Sequence, residues 1–172
     1  MSITKQRSIL ESKIDNWRLE IQKFVSKSQV TNLFSWFISK IDLPVLKLSR
    51  GRLSLTGLIT GWPIIILNTI GARSRKKRTT PLVGIPDGQN IILIASNFGK
   101  EQNPSWYHNV IAHPNVCVVR GGRTSNYFAR LATNEEYGPY WQLAEATYSG
   151  YRLYRERTTR HIPIIVLDKL SE

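Results

Sequence analysis

Beyond residue 62 the chain is built from six short runs rich in Ile, Val, Leu and Thr: PIIILNT, TTPLVGI, NIILIAS, NVCVVR, TSNYFARL and IPIIVLD. Runs of this length and β-branched content, each bounded by turn chemistry, predict strands. Pro86, Asp87 and Gly88 separate the second run from the third, and Arg120 to Arg123 separate the fourth from the fifth, so both connections suit tight antiparallel hairpins. Two helical segments interrupt the series. NPSWYHNVIAHP, between runs three and four, starts at Asn103 as N-cap with Pro104 at the first helical position and stops before Pro114. After run five, Asn134 is the expected cap of a segment with Glu135 and Glu136 in its first turn and a broken helical pattern behind it. The order predicts an α+β chain, six antiparallel strands forming a small barrel with inserted helices. At 172 residues there is room for one such domain.

Ahead of the strands the texture is helical. Leu10, Ile14, Trp17, Ile21 and Phe24 recur at spacings of four and three across residues 8–28, which predicts an amphipathic helix with one narrow apolar stripe. Residues 30–41 form a second short pattern that crowds Phe34, Trp36 and Phe37 together. Residues 1–45 are therefore expected to be a helical arm and 46–172 the barrel domain. The arm packs on its own domain, on a second copy of the chain, or on a membrane surface.

Charge narrows the partners. Lys and Arg number 24 against 12 Asp and Glu, a net +12. The excess is uneven, because residues 43–100 hold nine basic residues and one acid, Asp87. Within GARSRKKRTTP, five of the six residues from Arg73 to Arg78 are basic and sit in the turn between two predicted strands. Such a tip either binds a multiply charged anion or stays solvated and self-repelling; Ser74, Thr79 and Thr80 add neutral donors for a phosphate or carboxylate. A nucleic-acid partner is not expected, since no recognised motif pairs a continuous basic face with stacking rings. A single cysteine, Cys117, excludes an internal disulfide, reads as an inert core thiol and points to the cytosol. His108, His113 and His161 lack metal-ligand spacing, so no metal is expected.

Two more constellations stand out. SNFGKEQNPSWYHN is a glycine-containing loop running into a helix N-terminus, where unpaired N–H groups face outward; Trp106 and Tyr107 behind it suit core anchors or ligand contacts. Tyr148, Tyr151 and Tyr154 fall at i, i+3 and i+6 and would share one side of a helix, as an amphipathic wall or as a packing face. No nucleophile constellation is visible, so redox or group-transfer chemistry would belong to an organic cofactor.

Together the segments LNTIGARSRKKRTTPL, ASNFGKEQNPSWYHN and TYSGYRLYRERTTRHIPIIVL resemble the deazaflavin (coenzyme F420)-dependent nitroreductase family. Its pattern is similar to T-x-G-[RK]-x-S-x-x-x-R-x-x-P-L, then A-S-K-x-G-x-x-x-N-P-x-W-Y-x-N, then Y-P-x-Y-x-x-Y-x-x-x-T-x-R-x-I-P. The likeness runs from about Ser49 to Leu167. It implies a split β-barrel and an oxidoreductase that passes a hydride from reduced F420 to a planar electrophile: a nitro compound, a quinone or an activated enone. FMN is the alternative cofactor, and a cofactor- or lipid-carrying barrel at the membrane surface is the alternative function. The resemblance implies that Arg73, Ser74, Lys76, Arg78, Thr79, Thr80 and Pro81 surround the anionic tail. Ala95, Ser96, Asn97, Gly99, Asn103, Pro104, Trp106, Tyr107 and Asn109 border the deazaflavin head. Ser96 or a hydroxyl of Tyr148, Tyr151 or Tyr154 would give a hydrogen bond or proton. The chain departs from the pattern at Ala72 and Asn97, where a basic residue is usual, and at Arg75 and Phe98, where small residues are usual. A cytoplasmic enzyme, peripheral on the membrane through its arm and able to self-associate, is the resulting expectation.

Overall fold

The computed structural model describes residues 42–49 and 51–171. The helices expected over 8–28 and 30–41 lie outside these residues. Two short helices, α1 (Leu43–Leu48) and α2 (Leu55–Thr60), lead into the barrel, and α1 runs across the expected boundary at residue 45. Asp42 ties them together: its carboxylate accepts from Ser54 Oγ at 2.8 Å and Leu55 N at 2.7 Å at the start of α2. Among the described residues no helix is long and apolar enough to cross a membrane.

Seven strands follow, not six: β1 (Ile64–Ile70), β2 (Lys77–Val83), β3 (Ile85–Asp87), β4 (Asn90–Ile94), β5 (Asn115–Arg120), β6 (Arg123–Leu131) and β7 (Ile164–Lys169). All pairs are antiparallel, in the order β2-β1-β5-β6-β7-β4-β3. The extra strand comes from TTPLVGI, which bends at Gly84 and passes from one sheet edge to the other, curling the sheet into a split barrel. At that bend a Cβ would lie 2.8 Å from the side chain of Ile65, a fully buried residue, so the close approach needs glycine. Pro81 is tolerated because β2 is an edge strand and one side of its backbone needs no donor. The β3–β4 and β5–β6 hairpins close as expected, with Asp87 opposite Asn90 and Arg120 opposite Arg123.

Strands β4 and β7 are apolar without interruption over residues 91–94 and 164–167, where both their faces are covered. Ile91, Leu93, Ile165 and Leu167 point into the barrel with Leu67, Val118 and Trp106. Ile92, Ile94, Ile164 and Val166 point outward beneath α4 (Asn134–Thr147) and α5 (Gly150–Glu156), against Trp141, Tyr148, Tyr151 and Tyr154. Cys117 is not in either core; it is half-buried in β5, paired with Asn68 and Asn126 on the flanking strands.

Two caps differ from expectation by one residue. Helix α3 (Ser105–Ala112) has Pro104 itself as N-cap, which leaves the Asn103 side chain for another task. Helix α4 is capped by Thr133, in a reciprocal box with Glu136, and Asn134 is its first helical residue. The Glu136 carboxylate also takes a two-pronged ion pair from Arg130, at 2.7 and 2.8 Å, while Arg130 Nε reaches Asp168 at 2.7 Å. Those hydrogen bonds, Arg130 first and the Thr133 backbone second, hold Glu136 down at about 2 from an ordinary 4.5. Because the folded value is the lower one, this contribution is complete above pH 4.5 and is lost as pH falls toward 2. Urea titrations of the native protein and an Arg130→Met variant should therefore differ by a constant amount above about pH 5 and converge as pH falls to about 2.

Candidate functional site

The β1–β2 connection is a closed turn in which Gly71 N donates to Lys76 O and Arg75 N to Gly71 O, each at 2.9 Å, with Arg75 in the left-handed region at φ 55°. What anchors it is Asn109 on α3. The buried Asn109 amide accepts from Ala72 N at 3.0 Å and donates to Thr69 Oγ1 at 3.1 Å, so both ends of the side chain are committed to the turn. Arg73, Arg75, Lys76, Lys77 and Arg78 are all exposed, and none forms an ion pair with another described residue. Five cations at one tip raise the local potential, and no described acid compensates it.

Beside the turn lies a recess of about 780 Å³ lined by Arg73, Ser74, Arg78, Thr79, Thr80 and Asn109, with Trp106 and His108 from α3. Ser74 Oγ accepts from Arg78 Nη2 and Lys76 N, each at 3.4 Å. Lys76 lies at the tip and does not line the recess. His108 does, and the sequence reading did not single it out as a ligand; a position one turn from Ser105 on the exposed face of α3 was the available signal.

Across Thr80 and Trp106, which line both spaces, the recess adjoins an apolar cavity of about 240 Å³. One wall is the inner end of β1 and β2, with Ile64, Pro81, Leu82 and Val83; another is the loop Ser96, Asn97 and Phe98 with Pro104; the third is Trp62 and the three tyrosines. Trp62, Ile64, Leu82 and Val83 carry no polar signal and were not anticipated. Five residues expected at the ring lie elsewhere: Ala95 is in the barrel core, Tyr107 packs half-buried against that core beside His108, Asn103 faces Arg160, Gly99 packs on α5, and Asn109 lines the recess. Ser96 lines the cavity, and its hydroxyl has no hydrogen-bond partner among the described residues. The loop is unusual in its backbone: Asn97 (φ 47°) and Phe98 (φ 60°) are both left-handed without being glycine. Such a conformation persists only where surrounding contacts impose it.

The tyrosines are at once packing face and cavity lining. Tyr148 caps the C-terminus of α4, while Tyr151 and Tyr154 belong to α5, so the broken helix brings them together at ring separations of 5.3 to 6.2 Å. All three are buried, and the hydroxyls of Tyr148 and Tyr154 share a hydrogen bond of 2.8 Å. Trp62 packs on Tyr148 at 4.3 Å and Phe98 meets Tyr154 edge-on at 5.8 Å. Burial pushes all three phenols above their ordinary value, so they remain protonated donors at neutral pH. Among the described residues no cluster of His, Cys, Asp and Glu is arranged to hold a metal.

Comparison with known proteins matches residues 46–169 to a family model described as F420H(2)-dependent quinone reductase. An F420H(2)-dependent quinone reductase of Mycobacterium tuberculosis (strain H37Rv) is 34% identical over 110 residues, covering 62% of this chain and 74% of that protein. A solved F420-H2 dependent reductase (FDR-A) superposes with a TM-score of 0.58 at 36% identity, over 62% of this chain and 94% of that one. A solved domain-swapped dimer gives the same TM-score of 0.58 and 36% identity, over 62% of this chain and 80% of that one.

Proposed function

This chain belongs to the F420H(2)-dependent quinone reductase family, and on that premise we propose that it reduces a planar acceptor of the quinone type held against Tyr148, Tyr151 and Tyr154. It is an oxidoreductase, and F420 is its cofactor. The observation that carries the reading is the junction of two chemically unlike spaces at Thr80 and Trp106, one apolar and one faced by cations that have no ion-pair partner among the described residues. A ligand with a flat ring at one end and a polyanionic tail at the other fits that junction. Arg73, Ser74 and Arg78 would hold the tail, and Ser96, Asn97, Pro104 and Trp106 would border the ring. When bound, the reduced deazaflavin supplies a hydride, and a quinone that takes this hydride and one proton leaves as the hydroquinone.

The protein's own part is to orient, to exclude water and to supply a donor. Tyr148 and Tyr154 are protonated and one donates to the other, which leaves the second O–H of the pair to donate to an acceptor oxygen on which negative charge develops. Ser96 is a second donor from the opposite wall. The apolar remainder of the cavity strengthens these interactions by keeping water out. Nitro compounds and activated enones share the planar, electron-poor character and are proposed as further acceptors. The domain-swapped structural relative supports self-association as part of the same reading.

Fluorescence titration tests the assignment. F420 should bind about tenfold or more tightly than FMN, a difference of about 1.4 kcal/mol, because FMN has one phosphate and leaves most of the turn unpaired. Its affinity should fall as salt rises. Arg78→Ala, which removes a recess-lining cation, should weaken binding by about 1–3 kcal/mol, whereas Lys77→Ala, whose side chain lines a different groove, should change it much less. Tighter binding of FMN, or equal losses at both positions, would contradict the proposal.

A further inference from the structure

We propose that Arg160 is a positioning residue that fixes the Ser96–Asn103 loop to the segment following α5, so that one guanidinium sets two walls of the cavity. Arg160 lies between α5 and β7, outside the cavity lining. Its Nη2 donates to Ala95 O at 2.9 Å and Ser96 O at 2.8 Å, its Nε to Lys100 O at 2.8 Å, and its Nη1 to Asn103 Oδ1 at 2.6 Å. The acceptors are the two ends and the middle of one loop. Nothing but a planar fork of donors spans such a set; a lysine ammonium would reach one end and leave the other.

The loop needs an external hold. Its internal bonds are few: Gly99 N to Ser96 O at 2.9 Å, Lys100 N to Asn97 O at 3.1 Å, and Asn97 Nδ2 to Gln102 O at 2.8 Å. Against them stand two consecutive non-glycine residues in the left-handed region. A second clasp from the same segment, Thr158 Oγ1 to Glu101 Oε1 at 2.9 Å, reinforces the first. Arg160 also explains the Asn103 side chain, which is not the helix cap and serves instead as its acceptor. Ser96, Asn97 and Phe98 come from the loop, Tyr151 and Tyr154 from the helix that precedes Arg160, so the spacing of the two walls depends on this contact.

The inference rests on the cavity taking the deazaflavin ring, but its first test does not need the cofactor. In the protein without ligand, Arg160→Lys should speed hydrogen exchange of the Gly99 and Lys100 amides by about tenfold or more, the equivalent of one lost charged hydrogen bond, while β5 and β6 amides keep their rates. Asn103→Ala should do the same to a smaller degree and keeps the question open to test if Arg160 variants fold poorly. In the second test, affinity for F420 and for a deazaflavin lacking the anionic tail should drop by the same factor, because the tail contacts are untouched. Unchanged loop exchange in both variants, or equal acceleration across the sheet, overturns the assignment. Failure of the native protein to bind F420 would overturn the functional reading and leave the exchange result standing.

Discussion

Gly99→Ala is expected to lower the melting temperature by about 6–12 °C and to abolish measurable binding of the deazaflavin ring, while Gly88→Ala should lower the melting temperature by about half as much and leave binding intact. At Gly99 the backbone is left-handed (φ 79°), and a Cβ there would lie 2.8 Å from Tyr154 O, 2.9 Å from Arg157 Cβ and 3.1 Å from Tyr154 Cα. Two of those three atoms are helix backbone, which cannot rotate aside, so either the loop or α5 must move. The left-handed conformation costs an alanine about 1–2 kcal/mol and the overpacking about 1–3 more. A total near 3 kcal/mol corresponds to the stated shift for a domain of this size. Gly88 is also left-handed (φ 57°) but has nothing within 4 Å of its missing Cβ. It pays only the conformational part. Calorimetry of the two variants isolates the contact with α5, and equal shifts would show that the close approach contributes nothing.

The role of Gly99 illustrates what was legible in the sequence. Gly99 in ASNFGKEQNPSWYHN was expected to border the deazaflavin head; in the structure Tyr154 of the chain itself makes a close approach to it. A glycine in a loop signals proximity and does not name the neighbour. The barrel, by contrast, followed from local chemistry, since strand runs, hairpin residues and hydrophobic alternation act over a few residues. Its seventh strand was hidden because the bend at Gly84 is dictated by Ile65, nineteen residues away in sequence and in contact only after β1 has paired with β2.

The candidate site divides along the same line. Its cations and hydroxyls were visible because polar residues crowded into one turn have few structural explanations. Trp62, Ile64, Leu82 and Val83 were not, because a cavity wall and a core use the same apolar residues and differ only in what fails to cover them. Asn109 and Arg160 each carry a structural task that the sequence did not show. Asn109 lines the recess and also spends both ends of its amide on holding the turn; Arg160 matches the arginine of the T-x-R-x-I-P pattern, but its four loop acceptors become visible only when Ala95 to Asn103 and residue 160 share a space.

The tyrosine pair gives the sharpest separation of stability from chemistry. Sequence spacing alone made Tyr151 the centre of the group, but the buried hydrogen bond joins the outer two, Tyr148 and Tyr154, at 2.8 Å. Tyr148→Phe deletes one hydroxyl and leaves the other buried without that partner, which should cost about 1–3 kcal/mol, and Tyr154→Phe should cost a similar amount. In the double variant no hydroxyl of the pair is left stranded and the rings still pack on Trp62 and Phe98, so stability should recover to within about 1 kcal/mol of the native protein. Turnover should not recover. If these phenols stabilise charge on the acceptor, kcat should fall by about 100-fold or more in the double variant, with little change in F420 affinity. Denaturant titrations of the four proteins give the coupling energy, and turnover with a soluble quinone gives the chemistry. A double variant that regains stability and also keeps native kcat would mean that the pair only packs, and the proton donor would then have to be sought at Ser96 or Tyr151.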